Sequence, residues 1–248
     1  MLKTWTFKIF AAMTGLCLLV PLVFNPYYWE PCDSPKIFLF FFLIEFALPL
    51  YLVLIAKYSE CRPNLKNPVT ICLVLFVFFQ IISGIFGVDP ILSFFGDTHR
   101  FDSIIFWIHL VLYYFYLELL FRMDKKFISF FLHWFLGIAA FTAMIGVLQW
   151  MHILSPITQQ FGTRIISVYG NPIFFGSAMI IPIFLSLGLC LQTTNRVKKI
   201  LYGTVVFLCT TGIILSRARG ALVGLGIGLL FAIVFWFFSK KNKKKHQR

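Results

Sequence analysis

Residues 37–56 read "IFLFFFLIEFALPLYLVLIA", an apolar run broken only by Glu45 and Pro49. A helix of about 20 residues rises about 30 Å, the thickness of a bilayer's hydrocarbon core. Polar and apolar residues do not alternate here, so the run is not a strand of a membrane barrel. Outward from it, similar runs occur at about 7–23, 69–87, 104–121, 127–150, 171–191, 200–215 and 220–238. The chain is 60% hydrophobic, with 32 phenylalanines and a mean hydropathy of +0.88. A soluble domain of this length has no core large enough to hide so much apolar surface. In lipid, helices satisfy their own backbone groups. The expected fold is therefore all-α: a polytopic membrane helical bundle of about eight transmembrane helices in a single membrane domain over 1–248. Residues 1–68 hold the first two spans, 69–238 the main group of helices, and 239–248 a basic tail. The opening "MLKTWTFKIF" lacks a small-residue cleavage site after its apolar run and reads as an uncleaved first helix.

A net charge of +13 would suggest nucleic acid in a soluble protein. Here the basic residues lie in short loops between apolar runs and in the tail, a pattern that sets membrane orientation. The expected partners are membrane lipids and no nucleic acid, with the final lysine run held against anionic lipid. With eight spans both termini share a side, and 17 of the 22 Lys and Arg residues fall there. That side is cytoplasmic by the positive-inside rule. The opposite side carries Lys36, Arg100, Arg164, Arg217 and Arg219. Arginine, with its planar fork of donors, suits phosphate or carboxylate. Two readings stand: an anion site, or local pairing with outward acids such as Asp97 and Asp102, which flank Arg100. In "VYGNPIFFGSAM", Asn171 is suited to cap a helix and Pro172 to begin it, so a positive helix end is expected on the outer face.

Four stretches carry a resemblance: "GVDPILSFFGDTHRFDSIIFWIHL" (87–110), "IGVLQW" (145–150), "RIISVYGNPIFFGSAMIIPIFL" (164–185) and "SRARGALVGLGIGLL" (216–230). In this order they resemble the signatures of the O-antigen ligase family, polytopic bacterial glycosyltransferases that include O-antigen polymerases. The resemblance covers roughly 69–230. It implies transfer of a glycan from undecaprenyl pyrophosphate, at the outer face of the bacterial inner membrane, to a lipid or glycan acceptor such as lipid A–core. By position, Arg100 corresponds to the arginine of the family's loop around Ser93, Phe95 and Gly96. Arg164 corresponds to the arginine ahead of the Gly-Asn-Pro turn, Gly170 to Pro172. The Ser-Arg-Gly element matches less cleanly: Arg219-Gly220 keeps the Arg-Gly, whereas Ser216-Arg217 keeps the serine. Arg219 is the preferred match, with Arg217 as an added charge. Arginines that neutralise a departing pyrophosphate lower its barrier without a metal. No DxD pair or His/Asp cluster marks a metal site, so no cofactor is expected. Family members continue into an outward loop carrying a histidine proposed as general base. This chain ends in "SKKNKKKHQR", so a truncated form is expected and no catalytic residue is assigned. His99 and His152 are outward but do not match the family position.

Glu45 falls near the middle of the second span, where an ionisable group is costly and marks a polar site or a hydrogen bond to a neighbouring helix. It also supports an alternative reading, a transporter or flippase for an anionic lipid or solute. A third reading is a non-catalytic membrane scaffold. Glu118 is positioned to pair with Arg122 one turn on. Gln80 and Gln149 read as bonds between helices, and Gly220, Gly224 and Gly228 as a close-packing face.

Overall fold

The computed structural model describes residues 4–25, 27, 28, 30–97, 102–154 and 164–245, with side chains to Phe235. The protein is all-helical, with no strand among these residues. In chain order the helices are α1 (Trp5–Leu16), α2 (Ser34–Lys57), α3 (Pro68–Ile85), α4 (Pro90–Phe95), α5 (Ile104–Met123), α6 (Lys125–Trp150), α7 (Pro172–Ala178), α8 (Ile180–Gln192), α9 (Arg196–Ser216) and α10 (Arg219–Lys245). Among the described residues, seven segments are long and apolar enough to cross a bilayer. They mark a membrane-embedded protein. The last of the eight expected spans is the helix α10, which is apolar from Arg219 to Phe235, as far as side chains are described.

Prolines explain two departures from continuous spans. Pro21 has no N–H to give the Cys17 carbonyl, and from Cys17 to Leu22 the first span tightens into a 3-10 helix. Pro182 likewise cannot donate to Ala178, and the expected sixth helix divides there into α7 and α8 around Met179. Pro49 instead leaves α2 unbroken from Ser34 to Lys57. Its missing N–H deprives the Glu45 carbonyl of the usual donor four residues on. The short helix α4, capped by Asp89 through a 2.9 Å bond from the Leu92 N–H, was not expected.

The chain forms two compact units, Met1–Trp134 and Phe135–Arg248. In the first, the core gathers Phe10, Ile44, Leu54, Tyr116, Leu119 and Leu120, all fully buried. Phe10 meets Tyr116 edge-on at 5.2 Å and stacks on Tyr51 at 5.9 Å. The Tyr116 hydroxyl donates to the Ile44 carbonyl at 3.1 Å, so its polar end is satisfied inside the core. Thr70 and Tyr114 join α3 to α5 through a 3.0 Å hydroxyl pair. At the far end of α5, Arg122 lies 3.6 Å from Glu118, as expected, and also donates to the Arg62 carbonyl at 2.8 Å.

The second unit packs around Phe175, Met179, Ile183, Cys209 and Ile213. Small residues permit the approach. A methyl group built at Gly176 would lie 2.9 Å from both the Ala218 methyl and the Ser216 hydroxyl, and one at Gly212 would lie 2.9 Å from the Phe175 ring. Of the expected glycine face on α10, Gly224 sits against Ile180 and Gly228 against Phe184, whereas Gly220 faces open space. Here α7 lies directly on the turn that links α9 to α10.

Candidate functional site

Three of the four arginines expected to bind an anion lie in the second unit, on the α9–α10 turn or bonded to it. Arg164 is half-buried, and its Nε donates to the Ser216 carbonyl at 3.0 Å. Ser216 ends α9; its hydroxyl donates to the Ile213 carbonyl at 2.8 Å and accepts from the Ala218 N–H at 3.2 Å. Those bonds close a tight turn that places Arg217 between the two helices and Arg219 as the first residue of α10. Both are exposed. Arg100 and His99 lie outside the described residues.

Two features of this turn run against local preference. Arg217 sits at φ 52°, ψ 29°, in the left-handed region. Glycine takes that conformation freely, whereas an L side chain there costs about 1 kcal/mol or more. Arg219 places a cation at the positive end of a helix dipole, where a carboxylate would be favourable. Among the described residues, no carboxylate forms an ion pair with Arg164, Arg217 or Arg219; the ion pairs found are Glu45–His109 and Glu118–Arg122. Local pairing with acids therefore does not account for these three. The start of α10 has Arg219 as its first residue, Arg217 two before it and Arg164 bonded to the Ser216 carbonyl, beside N–H groups that, as at any helix start, have no acceptor within the helix. Chemically, such a place can receive a multivalent oxyanion.

Arg164 is held in position by a buried clip. Gln149, near the end of α6, bonds the backbone of Ser167 twice. Its Nε2 donates to the Ser167 carbonyl at 2.9 Å, and its Oε1 accepts from the Ser167 N–H at 2.7 Å. The Ser167 hydroxyl donates to the Thr142 carbonyl at 2.6 Å. All three residues are buried, and Ser167 adopts φ 52°. Gln149 thus grips the segment leading to α7, not another helix as expected. Burial pushes the Tyr169 phenol above its ordinary range, partly offset by a hydrogen bond with Thr142, so it stays neutral beside the clip. Gly170 follows at φ 69°, a conformation suited to glycine, and delivers Asn171. As expected, Asn171 caps α7, accepting from the Ile173 N–H at 2.8 Å, with Pro172 in the first helical position.

In the first unit, Glu45 on α2 lies 3.3 Å from the His109 imidazole on α5. His109 was not singled out from the sequence, although the rule that flags Glu45 applies equally to a histidine within an apolar run. Compared with family models, curated proteins and solved structures, the chain matches none.

Proposed function

We propose that the protein is an O-antigen ligase-like glycosyltransferase of the bacterial inner membrane. Arg164, Arg217 and Arg219 hold the pyrophosphate of an undecaprenyl-linked glycan on the periplasmic face; Arg100, expected to join them, lies outside the described residues. Both termini are cytoplasmic. The observation that carries this reading is the bond from Arg164 to the Ser216 carbonyl, which joins two sequence-distant arginine segments at one helix start. As the glycosidic bond to the carrier breaks, negative charge grows on the departing pyrophosphate. Guanidinium groups already in place stabilise that charge without reorganisation. The acceptor is a lipid or glycan hydroxyl, such as one on lipid A–core, and no residue is assigned as its general base.

The alternative, a transporter or flippase for an anionic lipid or solute, is favoured by one observation, the Glu45–His109 pair. Reconstitution with undecaprenyl-pyrophosphate glycan and lipid A–core separates the two. The first reading predicts glycan joined to the acceptor and free carrier pyrophosphate, without net movement of intact carrier-linked glycan. Intact carrier-linked glycan crossing the bilayer, with that movement lost in Glu45→Gln, would establish transport instead. Carrier binding with neither outcome would leave a scaffold.

A further inference from the structure

We propose that Glu45 and His109 form a single-proton binding site within the apolar part of the first unit. This stands independently of what the arginines bind. The Nδ1 atom of His109 lies 2.8 Å from the Ile105 carbonyl. A carbonyl only accepts, so Nδ1 carries a hydrogen and donates it. That leaves Nε2 facing the Glu45 carboxyl, with Oε1 3.3 Å away.

With no further proton the facing atoms present lone pairs to each other and the pair carries a negative charge. With two it carries a positive one. With one, shared as carboxylic acid and imidazole or as carboxylate and imidazolium, it is neutral overall. The 3.3 Å approach of Nε2 to Oε1 is a hydrogen bond only when one proton lies between them.

Several features build the site. The Phe41 ring stacks on His109 at 4.0 Å and 19°, fixing the imidazole plane. The imidazole side chain is 10% exposed, whereas the Glu45 side chain is 67% exposed on the outer surface of α2, between exposed Phe42 and Phe46. Among the described residues, no other titratable side chain of the packed elements bonds to either partner, including Lys8 of α1, Tyr51 of α2, and Tyr113 and Glu118 of α5. The proton therefore belongs to this pair alone.

Carbodiimide chemistry tests this. A protonated carboxyl gives its proton to a reagent nitrogen while its oxygen bonds the central carbon, and no group leaves. In nanodiscs holding the protein, apolar dicyclohexylcarbodiimide should modify Glu45 at least about tenfold faster than the exposed loop acids Glu60 and Asp89, because the apolar reagent partitions into the lipid beside Glu45 and can take up the proton the pair shares. A water-soluble carbodiimide should reverse that order. His109→Phe keeps a ring against Phe41 but has no nitrogen to share the proton. The lone acid then keeps its O–H undivided, and apolar labelling should rise at least about threefold. Failure of the apolar reagent to label Glu45 overturns the proposal, as does labelling by the water-soluble reagent at the rate of Glu60. Unchanged or lower labelling in His109→Phe does the same. The comparison of reagents on the wild type needs no variant, so the proposal stays open to refutation even if the substitution unfolds the unit.

Discussion

Arg164→Ala and Arg219→Ala each weaken binding of undecaprenyl pyrophosphate by about ten- to a hundredfold, the worth of a charge-assisted hydrogen bond of about 1.5–3 kcal/mol. Tryptophan-fluorescence titration in detergent micelles measures this directly. The two substitutions differ usefully. Arg164 also donates to the Ser216 carbonyl, so its loss adds a structural cost of about 0.5–1.5 kcal/mol as that hydrogen bond disappears. Arg219 is exposed at the start of α10 with no carboxylate partner among the described residues. Its removal relieves an unfavourable charge at the positive helix end. Arg219→Ala should therefore weaken binding without lowering the unfolding midpoint. Equal affinity for wild type and both variants would rule out the pyrophosphate assignment.

Gln149→Leu has the largest expected effect on stability. The leucine fills similar space but leaves the Ser167 N–H and carbonyl without their partners, and both Gln149 and Ser167 are buried. Each orphaned group costs about 1–3 kcal/mol, so a loss of about 2–5 kcal/mol is expected for the second unit. Thermal unfolding followed by near-ultraviolet dichroism reads it. Because Arg164 lies three residues before Ser167, carrier affinity should fall as well. A change below about 0.5 kcal/mol, within the range of ordinary surface substitutions, would mean that the clip does not hold this segment.

The membrane class was legible in runs such as 37–56, because lipid leaves the backbone few alternatives. Local signals also served: Asn171 and Pro172 mark the start of α7, and Glu118 meets Arg122 at the spacing of one helical turn. Departures arose where one residue changed a regular pattern. Pro182 divided a span that hydropathy reads as continuous, since an apolar proline does not lower hydropathy enough to show the lost hydrogen bond.

Contacts between distant segments were hidden for a different reason. Glu45 and His109 are 64 residues apart, and Arg164 and Ser216 are 52 apart. No periodicity links such pairs. Gln149 looked like a bond between helices because its type says only that it will seek donors and acceptors. Its partners are backbone groups of a segment turned by Ser167 in a left-handed conformation that serine does not announce. The arginines were identifiable by charge and position, but their convergence on one turn was not.

If the α9–α10 turn keeps its arginines, against local preference, to hold an anion, then Arg217→Gly separates the two effects when its affinity for undecaprenyl pyrophosphate is measured beside its unfolding midpoint. Glycine suits the left-handed position, so stability should rise by about 0.5–1 kcal/mol while affinity falls about tenfold with the loss of one charged donor. A stabilised variant with undiminished affinity would show that Arg217 takes no part in binding and that the turn is not kept strained for an anion.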